Sequence, residues 1–335
     1  MRSAIIPQFG LDHLTFADRA EPTPGPGQVL VAVKAVSLNY RDLLVTRGQY
    51  NPRMPLPRVP CSDAAGEVQA VGDTVRSVAP GDRVCGTFFQ DWADGPLTDA
   101  AGKSALGGAL DGVLAEQVLL NECGVAPVPP HLSYEEAATL PCAAVTAWNA
   151  LTTDFDPAGK TVLLQGTGGV SVFALQFAVA LGAKVLITSG SDDKLKRALR
   201  MGAADGVNYK ITPDWEKWVR QQTNGVGVDL VVEVGGAGTL DRSVKATRPG
   251  GRIALIGVLA GGSGFDPLPL MMKGITLRGI YVGNRAMFEA MSATISEHAI
   301  RPVIDRVFDL DDYQSAFRHL ESASHFGKVV IRVGG

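Results

Sequence analysis

Residues 161–171 read TVLLQGTGGVS, and a long apolar-patterned segment follows them. A strand that turns through glycines straight into a helix limits the architecture more than any other stretch of this chain. Gly166 permits the tight turn. Gly168 lets backbone come close to a pyrophosphate, whose charge a helix N-terminus favours. Ser171 stands where the third glycine of G-x-G-x-x-G is expected, and it is small enough to keep helix and strand together. Gly166, Thr167, Gly168, Gly169 and Val170 are therefore the candidate phosphate cradle of a dinucleotide.

The surrounding pattern supplies the context that such a cradle needs. Strands are expected at 161–165, 184–188, 207–209, 228–234 and 251–256, and helices at 169–181, 192–201, 214–222 and 240–247. Runs such as VDLVVEV and RIALIGV suit parallel strands covered on both faces. Repeated βα units with right-handed crossovers give a doubly wound Rossmann sheet. Residues 1–125 read instead as short strands punctuated by glycine and proline, with a hairpin over AAGEVQAVGDTV turning at Gly72-Asp73. The tail has a strand-like ITLRGIYVG, two helices and a final GKVVIRV. It is expected to leave the βα series and return to the first domain. A length of 335 residues suits about two domains. The boundaries expected are 1–143 with 281–335 for a mostly β domain, and 144–280 for the Rossmann domain.

Composition removes other classes. The net charge of −3 and the lack of a long basic run give no support for nucleic acid or a membrane surface. The first residues, MRSAIIPQFG, lack the apolar core of a secretory signal, and no run of apolar residues is long enough to span a bilayer. Four cysteines far apart in sequence, Cys61, Cys85, Cys123 and Cys142, make a disulfide framework improbable. A reducing cytoplasm is the expected location.

The second Rossmann strand bears on the choice of dinucleotide. An acid at its end would bond the ribose hydroxyls of NAD. This chain has Thr188-Ser189-Gly190-Ser191 there. Ser189 neither requires a free 2′-hydroxyl nor repels a 2′-phosphate, and Lys194 lies one turn into the next helix. NADPH is favoured and NADH remains possible. Asp192 and Asp193 complicate this, unless they serve as helix-start acids.

The order PGPGQVLVAV, AAGEVQAVG, PGDRV, LPCAAVTAW, GTGGVS and FGKVVI resembles the medium-chain dehydrogenase/reductase superfamily over essentially the whole chain. That resemblance implies a GroES-like substrate domain, a Rossmann domain, a cleft between them and a homodimer. Many members hold a catalytic zinc. Its first ligand position here is Asn39, its second falls on Ser62 in CSDAAG, and its third is Cys142. One surviving thiol cannot hold zinc, because a catalytic site needs about three protein ligands; a rearranged Cys61–Cys142 site stays open. The stretch matching the structural-zinc loop has no cysteine.

The chain is most similar to the zinc-independent quinone oxidoreductase and enoyl reductase branch. The resemblance then implies substrate-facing polar groups on LNYRDLLVTRGQY: Asn39 as a donor to a carbonyl oxygen, Tyr50 as a donor of a hydrogen bond or proton, and Asp42 as an orienting group. Turn capping is the plainer role for Asn39 and Asp42. It also implies that Thr146, Gly257, Val258, Tyr281 and Val282 line the nicotinamide and that Lys328 reaches the pyrophosphate.

The reading is an NADPH-dependent reductase of quinones or α,β-unsaturated carbonyls. A zinc-independent alcohol or aldehyde dehydrogenase is the enzyme alternative. A cofactor-binding scaffold or RNA-binding protein is the non-enzyme one. Asn39 and Ser62 at ligand positions predict a protein without stoichiometric zinc. Elemental analysis checks this, and about one zinc per chain, removable with loss of activity, would overturn it.

Overall fold

The computed structural model describes residues 1–257, 259 and 264–334. Val258, one of the nicotinamide candidates, lies outside the described residues. In chain order the principal elements are β1 (Gln28–Leu38), α1 (Tyr40–Thr46), β2 (Asp63–Val71), β3 (Arg83–Gly86), β4 (Gln117–Asn121), β5 (Val125–Pro127), β6 (Thr161–Gln165), α2 (Gly169–Ala180), β7 (Lys184–Ser189), α3 (Asp192–Arg200) and β8 (Asp205–Asn208). They continue as α4 (Trp215–Gln222), β9 (Val228–Glu233), α5 (Leu240–Ala246), β10 (Thr247–Leu255), α6 (Leu268–Met272), β11 (Thr276–Gly279), α7 (Arg285–Glu297), β12 (Ile304–Asp309), α8 (Tyr313–Glu321) and β13 (Lys328–Arg332). The chain divides into two compact units, Thr146–Tyr281 and the discontinuous Met1–Val145 with Val282–Gly335.

The continuous unit is a six-stranded parallel sheet in the order β8-β7-β6-β9-β10-β11. This is the Rossmann order, with the topological switch between β6 and β9. Val162, Leu163, Leu164, Val185, Leu186, Ile187, Leu230, Val231 and Val232 are almost wholly buried, as strands covered on both faces must be. The last strand corrects the sequence reading. Residues 276–279 pair in parallel with β10 and extend the βα series by one strand. The intervening α6 is one short, proline-containing turn with no buried residue, so its sequence carries little helical signal.

The discontinuous unit is built on a seven-stranded sheet with the path β12-β13-β1-β2-β3-β5, on which β4 also pairs with β1. The expected hairpin at Gly72-Asp73 is not tight. Strand β2 pairs with residues 83–86, so the chain makes a long excursion before returning. Gly72 is needed for another reason: a Cβ there would strike the Gly25 carbonyl. The tail reaches this sheet, with β13 antiparallel to β1 and Val329 opposite Leu38. That register sets Lys328 beside the turn that follows β1.

Candidate active site

Two clusters of polar side chains stand out, one in each unit. The first lies at the carboxyl end of the parallel sheet. Gly166 has φ +70°, which a side chain would resist. A Cβ built on Gly166 or Gly168 would meet nothing within 4 Å, so the space over this turn is open. Gly168 is the N-cap of α2 and no side chain caps it, which leaves first-turn N–H groups for an incoming anion. The Ser171 hydroxyl donates to the Gln165 carbonyl at 2.6 Å, so the residue in the third glycine position ties helix to strand. An open turn at an uncapped helix end, beside the switch point, fits a dinucleotide pyrophosphate.

Ser189 ends β7. Its side chain is buried, with its hydroxyl 3.5 Å from that of Thr167. Ser191 caps α3 by accepting from the Lys194 backbone, which places Lys194 in the first turn. Asp192 and Asp193 act as helix-start acids. Asp192 accepts from Asn208 Nδ2 at 2.7 Å, and Asp193 pairs with Lys196. Parallel pairing of Asn208 with Ser189 brings up two residues that sequence reasoning missed. A Cβ on Gly190 would lie 2.7 Å from Tyr209 Oη and 3.0 Å from Lys210 Cε. Their approach depends on strand register, which the sequence does not display.

Glu233 was also missed. It is the last residue of β9 and is wholly buried. Its carboxyl accepts from the backbone N–H of Gly235 (2.8 Å) and Gly236 (2.9 Å), from Thr239 Oγ1 (2.5 Å), from Gln165 Nε2 (2.7 Å) and from Ser243 Oγ. Its carbonyl accepts from Ile256 and Gly257. Glu233 thus ties together the loops after β6, β9 and β10. Gly257 has no room for a side chain, since a Cβ would run into the Val234 carbonyl. The one cue in the sequence was an acid at the end of an apolar run. Thr146 is buried, Tyr281 is 39% exposed, and Val282 has φ +57°.

The second cluster follows β1. Asn39 is the N-cap of α1, and its backbone N–H donates to Asp42 Oδ2 at 2.8 Å. Capping is therefore one role of this pair. Lys328 Nζ donates to Asn39 Oδ1 at 2.6 Å and to the Leu38 carbonyl at 2.7 Å, and its side chain is buried. The ammonium expected at a pyrophosphate is turned inward, because the β13–β1 register aims it at the end of β1. Asp63 gathers the other two ligand-position residues. It accepts from Ser62 Oγ at 2.6 Å and from the Cys142 backbone N–H at 3.1 Å. The Asn39 amide nitrogen makes no hydrogen bond of good geometry, yet it stands near enough to Asp63 to favour the carboxylate.

Burial dominates the electrostatics here. It pushes Asp42 up to about 6, against the opposing pull of Arg41 and the Asn39 N–H. It also raises Asp63, against Lys328 and Ser62. Burial, reinforced by Asp63, pushes the Cys61 and Cys142 thiols up, so neither is a ready thiolate. Among the described residues no three His, Cys, Asp or Glu side chains form a group able to hold a metal ion. Tyr50 is 40% exposed and lies under the Arg41 guanidinium, 5.0 Å from its ring centre.

A Rossmann sheet with an open phosphate turn, joined to a discontinuous β unit, defines an oxidoreductase of the nicotinamide-dinucleotide class. Family profiles described as "Alcohol dehydrogenase GroES-like domain" and "Zinc-binding dehydrogenase" match residues 25–130 and 169–297. The chain is 45% identical, over 97% of its length and 96% of the relative's, to the zinc-type alcohol dehydrogenase-like protein C1773.06c of Schizosaccharomyces pombe. It is 30% identical to the acryloyl-coenzyme A reductase of Metallosphaera sedula, over 93% of this chain and 94% of the other. A solved structure assigned as an alcohol dehydrogenase of Sinorhizobium meliloti 1021 superposes with a TM-score of 0.91 at 40% identity, covering 99% and 98% of the two chains. The chain belongs to the medium-chain dehydrogenase/reductase superfamily.

The Asp42 shift has a measurable consequence. A carboxyl raised from 3.8 to about 6 by folding contributes stability that is fully present below pH 3.8 and is lost as pH rises through 6. Relative to Asp42→Asn, the wild type is expected to lose about 3 kcal/mol of unfolding free energy between roughly pH 4 and pH 7. Urea titrations across that range check this, and a constant difference would show that Asp42 does not titrate there.

Proposed function

We propose that this chain is an NADPH-dependent, zinc-independent reductase of α,β-unsaturated carbonyls or quinones. The observation that carries the reading is the fate of the three ligand positions. Asn39, Ser62 and Cys142 are drawn onto Lys328 and Asp63 in one buried hydrogen-bonded cluster. Such a donor set does not suit zinc, which takes thiolate, imidazole and carboxylate ligands in tetrahedral array. Reduction of a simple ketone builds an alkoxide that calls for a Lewis acid. A conjugated carbonyl spreads the charge into an enolate, and a quinone becomes aromatic, so hydrogen-bond donors suffice. The likeness to an acryloyl-coenzyme A reductase supports the conjugated substrate. The name of the fission-yeast relative favours alcohol oxidation instead, which makes that the second reading.

A bound nicotinamide supplies the hydride. The chain's part is to hold the cofactor on Gly166–Val170, to receive its 2′-phosphate near Ser189, Lys194, Tyr209 and Lys210, and to present donors to the carbonyl oxygen. Tyr50 and Asn39 are the proposed donors on the α1 side, and Asp42 orients the start of α1. No helix among the described residues is long and apolar enough to cross a membrane. Among the described residues no cysteine forms a disulfide, which supports a cytoplasmic setting. Leu268, Met271 and Met272 are exposed beside the edge strand β11, and this supports assembly as a homodimer.

NADPH oxidation is expected with 2-alkenals or benzoquinone, and not with the matching saturated ketone. Efficient oxidation of simple alcohols, with no enone or quinone turnover, would establish the alcohol dehydrogenase reading. Ser189→Asp is expected to invert the cofactor preference, because a carboxylate repels a 2′-phosphate and accepts from a ribose diol. Equal binding of NADPH and NADH by the wild type, followed by fluorescence titration, would overturn the NADPH assignment.

A further inference from the structure

Two of the three guanidinium nitrogens of Arg41 are buried without a hydrogen-bond partner. Its guanidinium packs on two rings, 4.5 Å from the centre of Phe88 and 5.0 Å from that of Tyr50. Nη1 donates to the Leu106 carbonyl at 2.8 Å. Nε and Nη2 are buried and have no hydrogen-bond partner. These two nitrogens share one edge of the guanidinium, and their hydrogens point the same way. That edge is the fork that grips two oxygens of a planar anion at once. A structural arginine would have this edge satisfied by the protein, since buried unpaired donors are costly and rare.

The edge is closed to solvent, and the residue packed against it carries no side chain. The residue beside Nη2 is Gly108, and a Cβ there would run into that nitrogen. Phe88 is buried while Tyr50 is 40% exposed, so the Tyr50 side is where a molecule can enter. The charge is felt at the vacated ligand cluster, because Arg41 opposes the upward shifts of Asp42, Cys61 and Cys142. Asp42 is the adjacent residue on α1 but does not bond the fork.

We propose that the Nε–Nη2 edge of Arg41 is a carboxylate-recognition site, and that the substrate is a conjugated ketone or aldehyde bearing a carboxylate. The site rests on the reductase reading for its reaction, but not for its binding. Arg41 holds the carboxylate bidentately, and the Tyr50 ring closes over the pair. The substrate is thereby selected by an anion distinct from the carbonyl oxygen on which the enolate charge develops.

The probes are (E)-4-oxo-2-pentenoate and its methyl ester, compared as the ratio of their kcat/KM values with NADPH. The wild type is expected to prefer the carboxylate by roughly 10-fold or more, and Arg41→Lys, which keeps a charge but loses the fork, to abolish most of that ratio. Gly108→Ala, which crowds Nη2 without removing the cation, is expected to lower the ratio too and serves if the lysine variant fails to fold. Calorimetric binding of 4-oxopentanoate keeps the test independent of turnover. Binding by the wild type that weakens in both variants, with no reduction of either probe, would leave the carboxylate site standing and sink the reductase reading. A wild-type ratio near one with no binding of 4-oxopentanoate would overturn the proposal. So would variants that only melt at lower temperature while the ratio stays unchanged.

Discussion

The antiparallel pairing of β13 with β1 is the constraint on which the discontinuous unit rests. Val329 sits opposite Leu38, and Lys328 therefore arrives at the turn where β1 gives way to α1. This single register brings a strand from beyond the Rossmann unit back to the first sheet. It also fixes a buried cation against Asn39. An ammonium removed from water needs compensating partners. Here they are the Leu38 carbonyl, the Asn39 amide oxygen and the nearby charge of Asp63. Strand pairing and polar cluster are thus one arrangement, and neither can shift by a residue without exposing or orphaning the other.

The Rossmann unit solves a comparable problem with the opposite charge. Glu233 lies at the end of a buried strand, where an isolated carboxyl would be costly. Five donors from β6, the loop after β9 and α5 converge on it. The carboxyl end of the sheet, where three loops must agree for a cofactor to seat, is thereby organised around one buried side chain. The glycines of the phosphate turn leave space open over it. The contrast is between a dense polar anchor and an open glycine turn.

Much of this was legible in the sequence, for identifiable reasons. The strands at 161–165, 184–189 and 228–233 announce themselves because both faces are buried, which writes unbroken apolar runs. The phosphate turn is legible because glycine is the residue that most readily adopts the φ of +70° found at residue 166. The strand at 276–279 was misassigned because it is short and lies at the sheet edge behind an exposed turn. Asn39 and Asp42 were picked out, but a capping pair and a substrate-facing pair look alike in sequence. Tyr209 and Lys210 are hidden in the sequence and Glu233 shows only as an acid ending an apolar run, since their roles depend on which strands lie side by side. The direction of Lys328 was lost for the same reason.

The split of the first unit around the second has a consequence for how the chain is made. On a ribosome, β1, β2 and β4 emerge together and can pair at once, but the stretch of β1 from Ala35 to Leu38 keeps one edge bare until β13 is synthesised. Throughout that interval the whole Rossmann unit is being translated and can fold as a unit. The nascent protein therefore carries an open strand edge beside an unpaired Asn39, the kind of surface that invites mispairing with another chain. Closing it waits for the same lysine-bearing strand that completes the polar cluster.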